Sequence, residues 1–252
     1  MALHGPQTAP ELPMSTPSPS ATPEAGPVTR ALVRRRMIQL AVFILLQAAI
    51  LFLGSGQPGW TGAWVYLVSY VGLIALTRVV VHDPELFAER ARMPKDARGW
   101  DKGLSVLFSA IGLTMLVVAA LDARFGWSPP TSTGVAAVGL AAFVLGFGVS
   151  VWAMAANRFF SSVVRIQSDR GHTVATGGPY RFVRHPGYAG FILGGLGIPL
   201  LLGSRWALAP AAVSCAVVVV RTVLEDRTLL KELPGYGDYA ARVRCRLLPG
   251  LW

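Results

Sequence analysis

The chain has 252 residues, of which 53% are hydrophobic and only 14% are charged, and its formal net charge is +10. Soluble domains carry about 25% charged residues, and the apolar residues here fall in long uninterrupted blocks. This pattern excludes a soluble globular enzyme and an outer-membrane barrel, whose strands of about 10 residues would alternate polar and apolar positions. Since no basic run is interleaved with stacking aromatic residues, the charge does not indicate nucleic-acid binding.

The N-terminal residues 1–29 are rich in Pro, Ser, Thr and Ala. Such a composition cannot bury a core, and it predicts a disordered tail. The segment does not open with a basic region followed by an apolar one, as a signal peptide would. Arg34, Arg35 and Arg36 directly precede the first apolar block. We therefore interpret that block as a retained membrane span with a cytoplasmic basic anchor.

The region 30–156 contains four blocks without Asp, Glu, Lys or Arg: Met37–Gly54, Trp60–Thr77, Leu104–Leu121 and Gly134–Ala156. Runs of roughly 18 or more apolar residues are candidates for transmembrane helices. We therefore predict an N-terminal transmembrane region of four spans.

Two shorter apolar blocks follow, Tyr188–Gly203 and Trp206–Val220, separated only by Ser204 and Arg205. They predict a tight helical hairpin, and one broken, re-entrant element is the alternative. Small residues would let the two helices of the hairpin approach closely. The predicted facing sets are Gly190, Gly194, Gly195 and Gly197 on one helix and Ala207, Ala211 and Ala212 on the other.

The distribution of basic residues orients these spans. With the N-terminus inside, 19 of the 23 Lys and Arg residues fall in the N-terminal stretch, 82–103, 157–187 and 225–252, as expected for cytoplasmic segments. The sequence therefore predicts an all-α integral membrane protein of about six transmembrane helices in the cell inner membrane. Both termini would be cytoplasmic, and the cytoplasmic loops and C-terminal tail would form the site.

The fifth predicted span begins with a polar, basic segment. The residue before a proline is disfavoured in helical conformation, and proline is favoured at the first helical position. His185 should therefore cap the helix that Pro186 opens. A helix start next to Arg184 and His185, with Tyr180 and Tyr188 as aromatic walls, is typical of an anion site. A basic interfacial loop that binds lipid phosphates fits these residues equally well.

The last predicted span ends with Arg221, Glu225 and Asp226. Two carboxylates at a helix C-terminus would be unfavourable, so we predict that the helix continues through Leu233. Glu225 then lies one turn beyond Arg221, where it either forms a surface ion pair with Arg221 or accepts hydrogen bonds from a ligand. The basic and apolar tail Tyr236–Trp252 is expected to lie on the membrane or to fold over the site.

No metal site is predicted. The two cysteines, Cys215 and Cys245, fit no metal or redox spacing, and the four histidines lack ligand spacing. The common soluble nucleotide-binding and hydrolase motifs are also absent.

The segment Gly178–Gly190 matches the pattern GPYxxxRHPxYxG and resembles the signature of the isoprenylcysteine carboxyl methyltransferase family and related phospholipid methyltransferases. Glu225-Asp226 followed by Leu229 is similar to the acidic pair of that family, which is usually two glutamates. The ending Tyr236–Gly250 is similar to the closing pattern of the family. The resemblance covers about 157–252, and Asp226 is its clearest departure.

This resemblance implies an integral membrane enzyme that uses S-adenosylmethionine without a Rossmann domain, with 157–252 as the methyltransferase-like catalytic region. Its acceptor would be an amphiphilic or lipid-linked molecule, in contact with membrane lipids. The residues carried over as cofactor-binding are Gly178, Pro179, Tyr180, His185, Tyr188, Glu225 and Asp226. Arg181 and Arg184 would be catalytic residues that hold an acceptor carboxylate.

Two other functions remain open at this stage. Sterol-reductase-like membrane oxidoreductases, which use NADPH, carry a similar RHPxY-type segment and C-terminus, although they tend to have Asn where this chain has Gly187. A membrane scaffold without enzymatic activity is the third possibility.

Overall fold

The description below is based on a computed structural model of the full chain. The structure describes residues 27–81, 83, 86, 90 and 98–252. The predicted disordered tail lies outside these residues, except that helix α1 already begins at Pro27. Most of the predicted cytoplasmic loop 82–103 lies outside them as well.

The described part of the chain contains seven α-helices and two short 3₁₀ turns, without a β-strand. The helices are α1 Pro27–Ser55, α2 Thr61–Val80, α3 Gly99–Phe125, α4 Thr133–Ala156, α5 Pro186–Leu202, α6 Leu208–Glu232 and α7 Tyr236–Arg242. Five of them, α1 to α4 and α6, are long and apolar enough to cross a membrane, and α5 is a shorter apolar helix. The predicted all-α, multi-pass membrane architecture is confirmed.

Helices α5 and α6 are separate helices joined by residues 203–207, and they pack against each other. Helix α5 is shorter than the candidate membrane spans, so the choice between a hairpin of two spans and a re-entrant element stays a prediction. The predicted packing face is wrong, however. The glycines of α5 pack against α4: a Cβ atom built on Gly146 of α4 would lie 2.3 Å from the backbone nitrogen of Gly194. A Cβ atom on Gly190 would lie 2.3 Å from the Gly146 carbonyl oxygen, and one on Gly197 would lie 2.6 Å from the Gly139 carbonyl oxygen, whereas one on Gly195 would have no atom within 4 Å. Helix α4 carries its own small residues at the matching positions, and this permits the closer approach.

The turn between α5 and α6 lies at the opposite end of the molecule from the start of α5. There the carboxylate of Asp122, at the end of α3, accepts hydrogen bonds from the Ser128 backbone N–H at 2.7 Å and from its hydroxyl at 2.6 Å. The hydroxyl of Ser204 donates to the same carboxylate at 2.5 Å. These bonds fix the hairpin turn against α3 and leave the start of α5 at the other end of the bundle.

Helix α3 packs against both α1 and α6. Helix α6 also packs against α5, and α5 against α4. This arrangement leaves a cavity between α1, α3, α5 and α6. Residues of the segment 157–175, which follows α4, also line it.

Candidate functional site

The start of α5 has the predicted local structure. His185 is the N-cap residue, with φ −127° and ψ 60°, and Pro186 occupies the first turn. The backbone N–H groups of Arg184 and His185 donate to the carbonyl oxygens of Cys245 and Arg246, both at 2.9 Å. The C-terminal tail therefore folds over the site, which settles the choice left open by the sequence. The backbone N–H of Tyr188 donates to the His185 carbonyl oxygen at 3.1 Å, so this N–H is not available to a ligand.

Asp226 on α6 also contacts the start of α5, and Asp226 is only 1% exposed. Its carboxylate accepts hydrogen bonds from Arg184 Nη2 at 3.0 Å, Arg246 Nε at 2.9 Å and the Tyr236 hydroxyl at 2.9 Å. The His185 Nε2 atom lies 3.2 Å from the same carboxylate. Helix α6 continues to Glu232, as predicted, and this extension brings Asp226 to the start of α5.

The neighbouring acidic residue, Glu225, has a different environment. It accepts a hydrogen bond from the hydroxyl of Tyr188 and lines the cavity. The expected surface ion pair between Arg221 and Glu225 is not formed. Arg221 instead makes a two-point ion pair with Asp101 at the start of α3, with Nε–Oδ1 at 2.7 Å and Nη2–Oδ2 at 3.1 Å. The partner of Arg221 is therefore Asp101, which lies 120 residues away in sequence, and not Glu225, which lies one helical turn away.

The cavity has a volume of about 480 Å³. Its polar end is lined by side chains of the loop after α4 and of α7, including Tyr236 and Tyr239. Its apolar end lies among the spans, where Phe43, Phe108 and Phe191 line it. An amphiphilic ligand with one polar and one apolar end matches this lining.

Three buried polar atoms that belong to residues lining this cavity have no hydrogen-bond partner among the described residues. They are Arg184 Nε, Arg90 Nη1 and Ser105 Oγ. More than nine in ten buried polar groups in proteins are hydrogen-bonded. These three groups around one cavity are available to a ligand with hydrogen-bond acceptors.

The tyrosines at the polar end are neutral hydrogen-bond donors. Burial raises the pKa of Tyr180 above its ordinary value, and burial and the nearby Asp226 carboxylate do the same for Tyr236. Burial raises the pKa of Tyr239 to about 12. The Tyr239 hydroxyl donates to the Tyr180 carbonyl oxygen at 2.8 Å, which ties α7 to the motif segment. These phenols position their neighbours and do not act as bases at neutral pH.

Of the residues predicted for the site, the structure brings five to the cavity: Tyr180, Arg184, His185, Tyr188 and Glu225. Four others do not line it: Gly178, Pro179, Arg181 and Asp226. Gly178 adopts a φ of +56°, and a Cβ atom there would lie 2.9 Å from the Cβ of Ala156, so it shapes the turn before the site. Pro179 is buried in the same turn, and Arg181 is exposed, with its Nε 3.4 Å from the Gly178 carbonyl oxygen.

Sequence reasoning missed Asp101 and Arg246 altogether. Asp101 is a lone acidic residue in the first turn of a membrane span, where helix capping is sufficient explanation. Arg246 is one of several basic residues in the tail. Neither residue carries a local signal that would identify its distant partner.

Part of the chain is similar to a known protein family. Residues 135–235 match the model of the phospholipid methyltransferase family. This segment contains the GPYxxxRHPxYxG motif and Glu225. The family resemblance predicted from the RHPxYxG motif is therefore confirmed.

Several curated isoprenylcysteine O-methyltransferases are similar to the chain. A probable protein-S-isoprenylcysteine O-methyltransferase of Oryza sativa subsp. indica is 38% identical over 113 residues, which are 44% of this chain and 59% of that protein. Protein-S-isoprenylcysteine O-methyltransferase B of Arabidopsis thaliana is 33% identical over 94 residues, 35% of this chain and 46% of that protein. The chain thus spans about half the length of these curated relatives.

A further similar protein has a different name. The cobalt-zinc-cadmium resistance protein CzcN of Cupriavidus metallidurans is 36% identical over 80 residues, 31% of this chain and 36% of that protein. The described residues contain no group of three or more His, Cys, Asp or Glu side chains that could hold a metal ion.

Proposed function

We propose that this protein is an integral membrane methyltransferase that transfers a methyl group from S-adenosylmethionine to a carboxylate of an amphiphilic or lipid-linked acceptor. The observation that carries the proposal is the single cavity that joins the RHPxY segment and Glu225 to an apolar space between the spans. The family of the segment 135–235 supports methyl transfer as the reaction.

The polar end of the cavity fits S-adenosylmethionine. Glu225 is the acidic side chain among the described lining residues, and it would bind a polar or cationic group of the cofactor. His185 and Tyr188, whose rings stack at 5.8 Å, offer aromatic faces for a sulfonium cation. Tyr180 would close this end from the turn before α5. The volume of about 480 Å³ lies within the 300–1,000 Å³ range of ordinary ligand sites.

The charges around the cavity favour an anionic acceptor. Five arginines line it together with Glu225: Arg36, Arg90, Arg165, Arg184 and Arg221. The last three are paired with aspartates, so the excess of positive charge rests on Arg36 and Arg90. A carboxylate would be attracted by this excess of positive charge, and a protonated lipid amine would be repelled. Of the two predicted arginines, Arg184 lines the cavity and keeps its Nε unpartnered, whereas Arg181 is exposed outside it. Arg184 would therefore donate a hydrogen bond to the carboxylate of the methyl acceptor.

The residues provide the chemistry that this transfer needs. When bound, S-adenosylmethionine would supply a sulfonium methyl group: the acceptor oxygen would form the new C–O bond as the S–CH₃ bond breaks, and the electron pair of the broken bond would stay on the sulfur of S-adenosylhomocysteine. A carboxylate acceptor has no proton to lose, so the transfer would require no general base from the lining residues. The contribution of the protein is to orient the two molecules and to exclude water.

We also propose that the site faces the cytoplasm, with both termini inside and the protein in the cell inner membrane. The basic residues of 157–187 and 225–252 support this orientation. A variant in which Cys215 and Cys245 are replaced by Ser can carry single cysteines at Ser168 or Ser132. A membrane-impermeant thiol reagent applied to intact cells should label the Ser132 position and not the Ser168 position. The reverse pattern would refute the orientation.

Calorimetry on the purified full chain in detergent tests the cofactor. S-adenosylhomocysteine should bind, and Glu225→Gln should weaken that binding by about 5- to 100-fold, because a hydrogen bond to a charged group is lost. Glu232→Gln, on the same helix but paired with Arg98 outside the cavity, is the matched control and should bind as the parent does. Binding of NADPH in place of S-adenosylhomocysteine would favour a reductase, and binding of neither would favour a scaffold.

Transfer of labelled methyl groups tests the acceptor. An S-farnesylated cysteine derivative with a free carboxylate should be methylated, and its methyl ester should not. Preferential methylation of phosphatidylethanolamine would show that the acceptor is an amine and would refute the carboxylate assignment.

A further inference from the structure

Arg221 lines the cavity, and the proposed function gives it no specific contact. Its guanidinium carbon lies 5.4 Å from the centre of the Tyr188 ring, on the side of the cavity where Glu225 and Tyr188 meet. An arginine in this place is close to both the proposed cofactor end and the helices of the apolar end. Its remaining hydrogen-bonding capacity therefore matters for what binds there.

The five N–H donors of this guanidinium can be accounted for. The Nε donor bonds to Asp101 Oδ1 at 2.7 Å. The two Nη2 donors bond to Asp101 Oδ2 at 3.1 Å and to the Ser162 carbonyl oxygen at 2.8 Å. No partner for the two Nη1 donors occurs among the described residues. Nη1 is also absent from the fully buried unpartnered atoms, so it is the accessible corner of the side chain.

Asp101 fixes the direction of this corner. The side chain of Asp101 is fully buried, and its Oδ2 also accepts a hydrogen bond from the Val164 backbone N–H at 2.7 Å. A planar guanidinium bound along its Nε–Nη2 edge by a carboxylate has little freedom to rotate. The pair therefore presents Nη1 in one orientation.

We propose that Arg221 Nη1 binds the carboxylate of the methyl acceptor and that Asp101 is the positioning residue for this contact. The proposal rests on the proposed function and adds the anion-binding group of the acceptor site. Asp101 lies on α3, outside the segment 135–235 that defines the family, so the site would be completed by the N-terminal half of the chain. Arg36 and Arg90, also outside that segment, add positive charge to the same cavity.

The test uses the full chain in detergent and two readouts. The first is the dissociation constant of S-adenosylhomocysteine. The second is the dissociation constant of each of two acceptor analogues, an S-farnesylated cysteine carboxylate and the matching primary amide, measured without S-adenosylmethionine so that no methyl transfer takes place. Arg221→Gln should weaken binding of the carboxylate analogue by roughly 10- to 100-fold, the loss expected for hydrogen bonds between charged groups. Binding of the amide and of S-adenosylhomocysteine should change less than about threefold, since neither uses the charge of Arg221 in the proposed complex.

Asp101→Asn should give the same selective loss at a smaller size, about 3- to 10-fold, because Asn retains one acceptor for Arg221 but not the two-point geometry. In the Arg221→Gln background, Asp101→Asn should have no further effect on the carboxylate analogue, as a double-mutant cycle measures. A merely structural Asp101 would instead weaken both analogues and S-adenosylhomocysteine, with additive effects. That result would overturn the positioning role.

Arg227→Gln is the matched control, since Arg227 is an exposed arginine on the same helix. It should leave all three constants unchanged. If Arg221→Gln reduces folding yield, Arg221→Lys retains the charge without the planar fork, and it should still lose preference for the carboxylate over the amide. If Arg221→Gln bound the carboxylate analogue as tightly as the parent protein does, that result would refute this inference alone. Failure of the parent protein to bind S-adenosylhomocysteine would instead refute the proposed function.

Discussion

The two ends of the membrane bundle each contain a buried aspartate, but the donors around them differ. Asp122 is held by the backbone N–H of Ser128 and by the hydroxyls of Ser128 and Ser204, which are all neutral. Asp226 is held by two arginines, with a histidine and a tyrosine in addition. Both carboxylates are nearly inaccessible, so burial alone does not distinguish them.

The cavities at the two ends differ in the same way. The cavity next to Asp122 has about 620 Å³, more than the 480 Å³ of the cavity near Asp226. Among the described residues, none of the buried unpartnered polar atoms belongs to a residue lining the larger cavity, whereas three belong to residues lining the smaller one. Unsatisfied donors and unbalanced charge, and not size, therefore mark the candidate site.

The largest expected effect is a difference in stability between the two aspartates. Asp226→Asn leaves Arg184 and Arg246 without their counter-charge and should lower the free energy of unfolding by about 3–5 kcal/mol, as for other broken buried ion pairs. Asp122→Asn keeps an acceptor for neutral donors and should cost about 1–3 kcal/mol. Denaturant unfolding in detergent measures both. Equal costs would show that the arginine contacts contribute no more than the serine contacts.

The seam between α4 and α5 connects the two ends and gives the next effect. Gly146→Ala would place a methyl group 2.3 Å from the Gly194 backbone and should destabilise the protein by about 1–3 kcal/mol through overpacking. Gly148→Ala, on the same helix with nothing within 4 Å, is the control and should not destabilise it. Because the seam runs along the whole of α5, the apparent affinity for S-adenosylhomocysteine should also fall in Gly146→Ala. Similar thermal midpoints for the two variants would contradict the packing described here.

A change confined to the opposite end should separate stability from binding. Ser204→Ala removes one hydrogen bond to Asp122 and should cost about 0.5–1.5 kcal/mol of unfolding free energy. The dissociation constant of S-adenosylhomocysteine at a temperature well below the unfolding midpoint should stay the same. A parallel loss of affinity would show that the two ends are coupled.

The smallest effect concerns pH at the site end. Burial, followed by the charges of Arg165 and Arg170, lowers the pKa of His172 below its ordinary value of about 6.5. The folded state then binds fewer protons than the unfolded state, so stability falls as the pH drops from about 6.5 through the lowered pKa. In His172→Asn, the thermal midpoint should fall less steeply as the pH decreases below about 6.5. An unchanged slope would assign the acid sensitivity to other groups.

Much of this fold could be predicted because membrane spans are local in sequence. Uncharged blocks and the Pro186 signal identify the helices and the start of α5 without knowledge of their neighbours. The partner of the α5 glycines could not be predicted in this way. Small residues on α6 and on α4 satisfy the same rule, and only the three-dimensional packing selects α4.

In the candidate site, too, residues in local motifs could be predicted and contacts between distant residues could not. His185, Tyr188 and Glu225 lie in motifs that sequence comparison detects, and all three line the cavity. The contact between Asp101 and Arg221 joins residues 120 positions apart, and the i to i+4 rule pointed to the wrong partner for Arg221. Asp226 shows the limit of motif transfer, because a residue expected to touch the cofactor is occupied by four protein groups.

The shortness of α5 has a consequence for the surrounding bilayer. Its 17 residues rise roughly 26 Å, less than the roughly 30 Å of a typical hydrocarbon core. Non-helical backbone such as the turn before His185 is tolerated at membrane depth only where protein or a water-filled cavity surrounds it. If α5 crosses the membrane, its length would place the site where a thick bilayer covers it and a thin one leaves it at the headgroups, so hydrophobic mismatch would become a variable of the reaction. Lipids with longer acyl chains should hinder access of a water-borne molecule more than access of one dissolved in the bilayer.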